Sequence, residues 1–214
     1  MKKLFYVFGI SGLLFTSCVG NPEGDKAETT DAVEVSETVG TKLSVNTTDS
    51  KIVWTGRKVS GTHHGTIQIT SGTINVENEK IVGGQFIIDM NTMVNQDQEG
   101  EWKGKLEGHL KSEDFFNVEK FPEAKLEITQ VEGNGVGVHK ASANLTIKDV
   151  TNNITFDVNV TEISETSFKG TADFNIARAD WGIVYTGKPD DLIAAEINFK
   201  IDLDAKYNTI KQLN

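Results

Sequence analysis

From Leu43 to Ala205 the chain alternates between apolar and polar residues with a period of two, the spacing of strands that bury one face and wet the other. Ile52 and Trp54 share a face in residues 51–58, and Phe86, Ile88 and Met90 share one in 80–90. Between them, residues 65–76 carry Ile67 and Ile69, then Ile74 and Val76. Further on, Ala124, Leu126 and Ile128 oppose Lys125, Glu127 and Thr129, and Ala143, Leu145 and Ile147 oppose Asn144, Thr146 and Lys148. Gly133-Asn134-Gly135 between these two runs is a strong hairpin signal. Ile154, Phe156, Val158 and Val160 continue the pattern, as do Ala172, Phe174 and Ile176 in 168–178. In 193–205 every odd position is apolar and every even one except Ala194 is polar.

One stretch breaks the period. In residues 104–122, Leu106 and Leu110 stand four apart, which predicts a short helix with both on one face, and Phe115, Phe116 and Phe121 follow. A helical turn with three phenylalanines, set once among strands, is expected to cover an open end of the apolar interior.

About eight strands joined by short turns predict an antiparallel sheet, and single-sided patterning leaves one face in water. Runs of ten to thirteen residues would reach roughly 35 to 40 Å, which favours an all-β, extended eight-stranded antiparallel barrel with one short helical insertion over a sandwich. Residue identity leaves both a filled and a hollow interior open. A membrane-spanning barrel is excluded, because the polar face carries Lys, Glu and Asp at membrane depth.

Charge narrows the partners. The formal net charge of −10 over 214 residues excludes binding to phosphate backbones or docking on anionic lipid by charge, both of which need clustered Lys and Arg. Lys2 and Lys3 precede an apolar run from Leu4 to Phe15, too short to span a bilayer and laid out as a signal peptide over residues 1–17. Cys18, the sole cysteine, stands where small residues end that run, as in a bacterial lipobox, with Phe15 departing from the usual aliphatic residue. Acylation of Cys18 would leave no free thiol for disulfide, catalysis or metal. Residues 18–41 lack aromatics and are rich in Glu, Asp and Thr, which predicts a flexible acidic tether between the anchor and a domain over 42–214.

Candidate chemistry is sparse. His63 and His64 are adjacent and on a strand would point to opposite faces, which disfavours a shared metal; no metal site and no cofactor are expected. His109, one residue off the apolar face of the predicted helix, reads as a hydrogen-bonded structural histidine, and no serine or acid stands at a triad spacing to it. Arg178 has the parity of Phe174 and Ile176, so its guanidinium is expected to face inward and to need an acid, Asp180 or Asp114, or an anionic head group. Asp190-Asp191 reads as a solvated loop.

Several short motifs occur in consistent order from about residue 43 to 206: Trp54-x-Gly56, His64-Gly65, Gly83-Gly84-x-Phe86, Asp89-Met90, His109-Leu110-Lys111-Ser112, Asp114-Phe115-Phe116, Phe121-Pro122, Leu145-Thr146-Ile147-Lys148 and Arg178-x-Asp180-Trp181-Gly182. Together they resemble the YceI-like family of secreted or lipid-anchored bacterial proteins. Asp149 departs from the family's usual glycine. The resemblance implies a lipocalin-like barrel with a hydrophobic tunnel for long isoprenoid chains, no catalytic machinery and no required metal. On that reading the chain is not an enzyme; it sequesters or carries an isoprenoid or similar amphiphilic lipid in the cell envelope, anchored to a membrane through Cys18, with a homodimer left open. Strand parity puts Trp54, Ile67, Ile69, Phe86, Ile88, Leu126, Ile128, Phe156, Phe174 and Phe199 in the lining, Leu110, Phe115 and Phe116 near the lid, and Arg178 at the head group. The alternatives are a lipid-anchored structural or protein-interaction module with a packed core and, further off, a lipid or glycan hydrolase.

Overall fold

The computed structural model describes residues 19–35 and 39–208. The leader and Cys18 lie outside the described residues. In chain order the strands are β1 (Asp25–Lys26), β2 (Glu28–Asp31), β3 (Thr41–Val45), β4 (Lys51–Lys58), β5 (Gly61–Glu77), β6 (Lys80–Asn95), β7 (Glu123–Glu132), β8 (Gly137–Ile147), β9 (Val150–Ile163), β10 (Ser167–Ala177), β11 (Gly187–Lys188) and β12 (Asp191–Lys206). A helix, α1 (Gly100–Lys111), separates β6 from β7, and a single 3-10 turn, Arg178–Trp181, follows β10.

Sequence neighbours pair in antiparallel ladders from β4 through β10, and β12 closes the wall by pairing with both β10 and β4. The result is the expected closed eight-stranded antiparallel barrel. β3 continues the β4 stave toward the end remote from α1, between β12 and β5. The β5–β6 hairpin turns on Asn78 and Glu79, both with positive φ, as a two-residue turn matched to strand twist requires.

Apolar residues face in wherever the alternation is unbroken, and Ile154, Val160, Phe168 and Ile176 are almost wholly buried. Bulges shift that parity. The buried set of β5 passes from Ile67 and Ile69 to Ile74 across an irregularity between Ile69 and Ser71. In β12 the register slips between Ile193 and Ile197 against β4, so Ala194 is buried and Ala195 exposed, reversing the expected faces at that end of the strand. An extra residue on one strand re-aims every side chain beyond it.

Two expectations need correction. The helix begins at Gly100 and ends at Lys111, four residues earlier than its predicted start, and 112–122 is turn and loop. Leu106 and Leu110 do share its inner side, but they are only half-buried and no residue of α1 is fully buried. The second concerns the tether: within it, β1 runs parallel to β10 and β2 antiparallel to β9. Composition favoured disorder because few apolar side chains are present; residues 22–33 are held by backbone pairing and by asparagine side chains from the barrel.

Candidate ligand cavity

The barrel is hollow. An apolar cavity of about 410 Å³ runs from a rim near α1 to Phe168, Val131 and Leu203 deep in the barrel, within the size range of small-molecule sites. Trp54, Ile67, Ile69, Phe86, Ile88, Leu110, Phe115, Phe116, Leu126, Ile128, Phe156, Phe174, Arg178 and Phe199 all line it. Met93, Phe168, Tyr185 and Leu203 line it as well and were not singled out from the sequence. Phe168 and Leu203 follow the parity of their strands and could have been read; Met93 lies beyond a bulge and Tyr185 in a loop, where parity carries no information.

The lining is built by local rules. Gly65 admits the Trp54 indole: a Cβ there would stand 2.6 Å from Trp54 Cζ2 and collide with the Val94 carbonyl. On the far wall the rings of Phe156 and Phe174 stack with centroids 4.4 Å apart, and Phe174 tilts against Phe199 at 6.3 Å. Such ring pairs add about 0.5–1.5 kcal/mol beyond their burial.

Above this lies the lid. His109 of α1 meets Phe115 and Tyr185 edge-on, at 5.0 and 4.9 Å, and its Nε2 lies 3.0 Å from Asp114 Oδ2. His109 is thus hydrogen-bonded, as its position suggested. Phe115 and Phe116 are buried beneath the loop, whereas Phe121 stays outside the cavity under Lys120, whose Nζ stands 4.8 Å from the ring centroid.

The start of α1 is fixed by Asp97. Its Oδ2 pairs with His63 Nδ1 at 2.7 Å, and its Oδ1 accepts from the His64 amide at 2.8 Å and from Asn95 Nδ2 at 2.5 Å. Burial pushes the Asp97 carboxyl up, but the hydrogen bonds from His63, the His64 amide, Gln98 and Asn95 outweigh it and hold the group well below the usual carboxylate range. The two histidines therefore converge on one acid, His63 through its ring and His64 through its backbone amide, with the His64 Nδ1 3.8 Å from Asp97 Oδ1. No group of three metal-ligating side chains is found among the described residues.

Arg178 corrects the sequence reading. It is 4% exposed and faces inward, yet its partners are carbonyls: Nε donates to Ala194 O at 2.8 Å, Nη1 to Ile183 O at 2.8 Å and Nη2 to Ile193 O at 3.4 Å. Burial lowers its pKa from the ordinary value. Asp114 is engaged by His109, and Asp180 lends its backbone carbonyl to Asn152. The guanidinium thus ties the loop after β10 to the start of β12, three donors against three carbonyls. Trp181 completes that tie: it is fully buried, and its Nε1 donates to Leu145 O at 3.0 Å. Gly182, at φ 69°, takes the left-handed turn that releases the chain.

Asp191 is also more than a solvated loop residue. Its carboxylate accepts from Lys58 Nζ at 2.8 Å and from the Ser60 amide at 2.9 Å, which brings its pKa down to about 2 and pins the β4–β5 turn at the rim. Arg57, Lys188 and Glu196 share that rim. The entrance is polar and mixed in charge; the interior is not.

Comparison with known proteins agrees with this geometry. A UPF0312 protein of Pseudomonas putida is 26% identical over 156 residues, 70% of this chain and 74% of that protein. A UPF0312 protein of Yersinia pestis is 33% identical over 72 residues, a match that spans only 37% of the relative's length. Among solved structures, Burkholderia cenocepacia BcnA superposes with a TM-score of 0.64 at 18% identity, covering 76% of this chain and 99% of that one. A polyisoprenoid binding domain from Saccharophagus degradans gives 0.61 at 16% identity, covering 78% and 98%. The model of the YceI-like domain matches residues 43–205, the whole barrel from β3 to β12, and the chain belongs to the YceI-like family.

Proposed function

We propose that the protein binds a long-chain apolar amphiphile, an isoprenoid or a lipid of similar shape, inside the barrel and holds it without chemical change. The observation that carries this reading is the cavity itself: about 410 Å³, walled by aliphatic and aromatic side chains and opening at a polar rim. A folded chain gains by closing such a space unless something occupies it, since each unfilled ångström cubed forfeits dispersion contacts. The resemblance in fold to a polyisoprenoid binding domain supports the same class of ligand.

Transfer thermodynamics constrain how it works. A buried methylene is worth about 0.8 kcal/mol relative to water, but a membrane lipid already has that in the bilayer. Uptake from a membrane is nearly neutral per methylene, so a preformed cavity and contacts at the polar end decide it. Arg57 and Lys188 at the rim suit that polar end better than Arg178, whose guanidinium already bonds three carbonyls. Acylation at Cys18 and residence in the cell envelope complete the proposal, keeping the barrel within reach of its lipid.

The test is a titration of the protein with a fluorescent polyene fatty acid, in wild type and in Phe174→Glu. Saturable binding lost in a variant that keeps its β-sheet circular dichroism supports the reading. Equal binding in both would remove the cavity as the site.

A further inference from the structure

The barrel wall contains one stave that the apolar pattern does not account for. β9 and β10 pair from Ile163–Phe168 to Val158–Ala172 and then part. In the gap, Asp25 and Lys26 pair with Phe174 and Asn175 on one side, and Glu28 to Asp31 pair with Thr155 to Asn152 on the other. β1, parallel to β10, and β2, antiparallel to β9, follow end to end through Ala27 and complete the wall there.

What holds this strand differs from what holds the others. Asn175 Nδ2 donates to Pro22 O at 2.9 Å and Gly24 O at 3.3 Å; Asn144 accepts from the Val33 amide at 3.0 Å and donates to Val33 O at 2.6 Å. Each clasp is braced from the next strand, Asn198 Nδ2 reaching Asn175 Oδ1 at 2.9 Å and Asn153 Nδ2 reaching Asn144 Oδ1 at 3.0 Å. Of residues 22–33 only Pro22 and Ala27 are buried, and the Thr29 hydroxyl is buried without a partner among the described residues. An element with two buried side chains and an unpaired hydroxyl opens at lower free energy than strands with full apolar faces. Its departure leaves β9 and β10 still paired along the rest of their length. Where they divide stand Phe156 and Phe174, the stacked rings that line the cavity.

We propose that residues 22–33 are a removable stave, and that the gap they fill is a lateral port through which a single apolar chain enters the cavity side-on, past Phe156 and Phe174. This rests on the cavity being a lipid site. A gap along the strands admits a chain lengthwise, whereas the rim requires it to thread beneath α1, Phe115 and Phe116.

The experiment locks the stave. Glu28 and Thr155 are opposed partners in an antiparallel pair, a spacing that a disulfide spans. In the full chain carrying Glu28→Cys, Thr155→Cys and Cys18→Ser, uptake of a fluorescent polyene fatty acid is followed in the oxidised and reduced forms. The expected result is uptake at least about tenfold slower when oxidised, with equilibrium affinity unchanged and the rate restored by reductant. Equal rates in two forms that both bind overturn the port and leave the cavity reading intact. Absence of binding in wild type overturns both. Asn144→Ala with Asn175→Ala, which needs no disulfide, is expected to speed uptake; an unchanged rate in a folded double variant whose stave amides have lost hydrogen-exchange protection overturns the port.

Discussion

At the scale of single residues, the charged groups nearest the cavity serve its architecture. Arg178→Lys retains the charge and cannot reach three carbonyls at once, so it is expected to cost about 3 kcal/mol in urea unfolding. Were Arg178 instead a head-group contact, the same change would weaken lipid binding and spare stability. Asp97 gives a pH signature with a definite sign. Its carboxyl titrates lower in the folded protein than its ordinary value of 3.8, so its contribution is complete above that pH and is lost as pH falls below it. Wild type should therefore unfold at higher urea than Asp97→Asn near neutrality, and the gap should narrow below about pH 4. A gap independent of pH would mean that the carboxylate charge contributes nothing at that site. Gly65→Ala places a methyl between the Val94 carbonyl and the Trp54 indole, and a loss of about 1–3 kcal/mol is expected, with a change in tryptophan fluorescence as the indole is displaced.

At the scale of elements, strands with clean alternation announced their inward faces, which is why the lining of β4, β7 and β9 could be named residue by residue. The reading weakened wherever an extra backbone residue entered a ladder. The bulges in β5 and the slip in β12 reverse parity without any change in residue type, and Ala194 was the one irregular position that hinted at it. Arg178 faced inward as its parity required, but three carbonyls brought close by chain path satisfied it, and no pattern encodes those. The stave at residues 25–31 was hidden for a related reason: its partners are asparagines, polar on the outer face and uninformative until two strands place them side by side. α1 is the other weakly held element. No residue of it is fully buried and Trp102 is 69% exposed, so its amides are expected to exchange much faster than those of β8 and β9. Equal protection in α1 and in those strands would show that the lid is not separately mobile.

At the scale of the whole molecule, a closed antiparallel barrel with an unfilled apolar centre explains both the length of the strands and the concentration of aromatic rings at its wall and lid. Closure leaves the long strands without free edges along most of their length and holds the wall together around the apolar centre. The measurement that bears most directly on this is native mass spectrometry of the protein purified without detergent, before and after organic extraction. A bound species that leaves on extraction, with a mass in the range of a long-chain isoprenoid or similar amphiphile, is the predicted result. A bare protein mass, with no rise in thermal stability on adding long-chain isoprenoids, would contradict it.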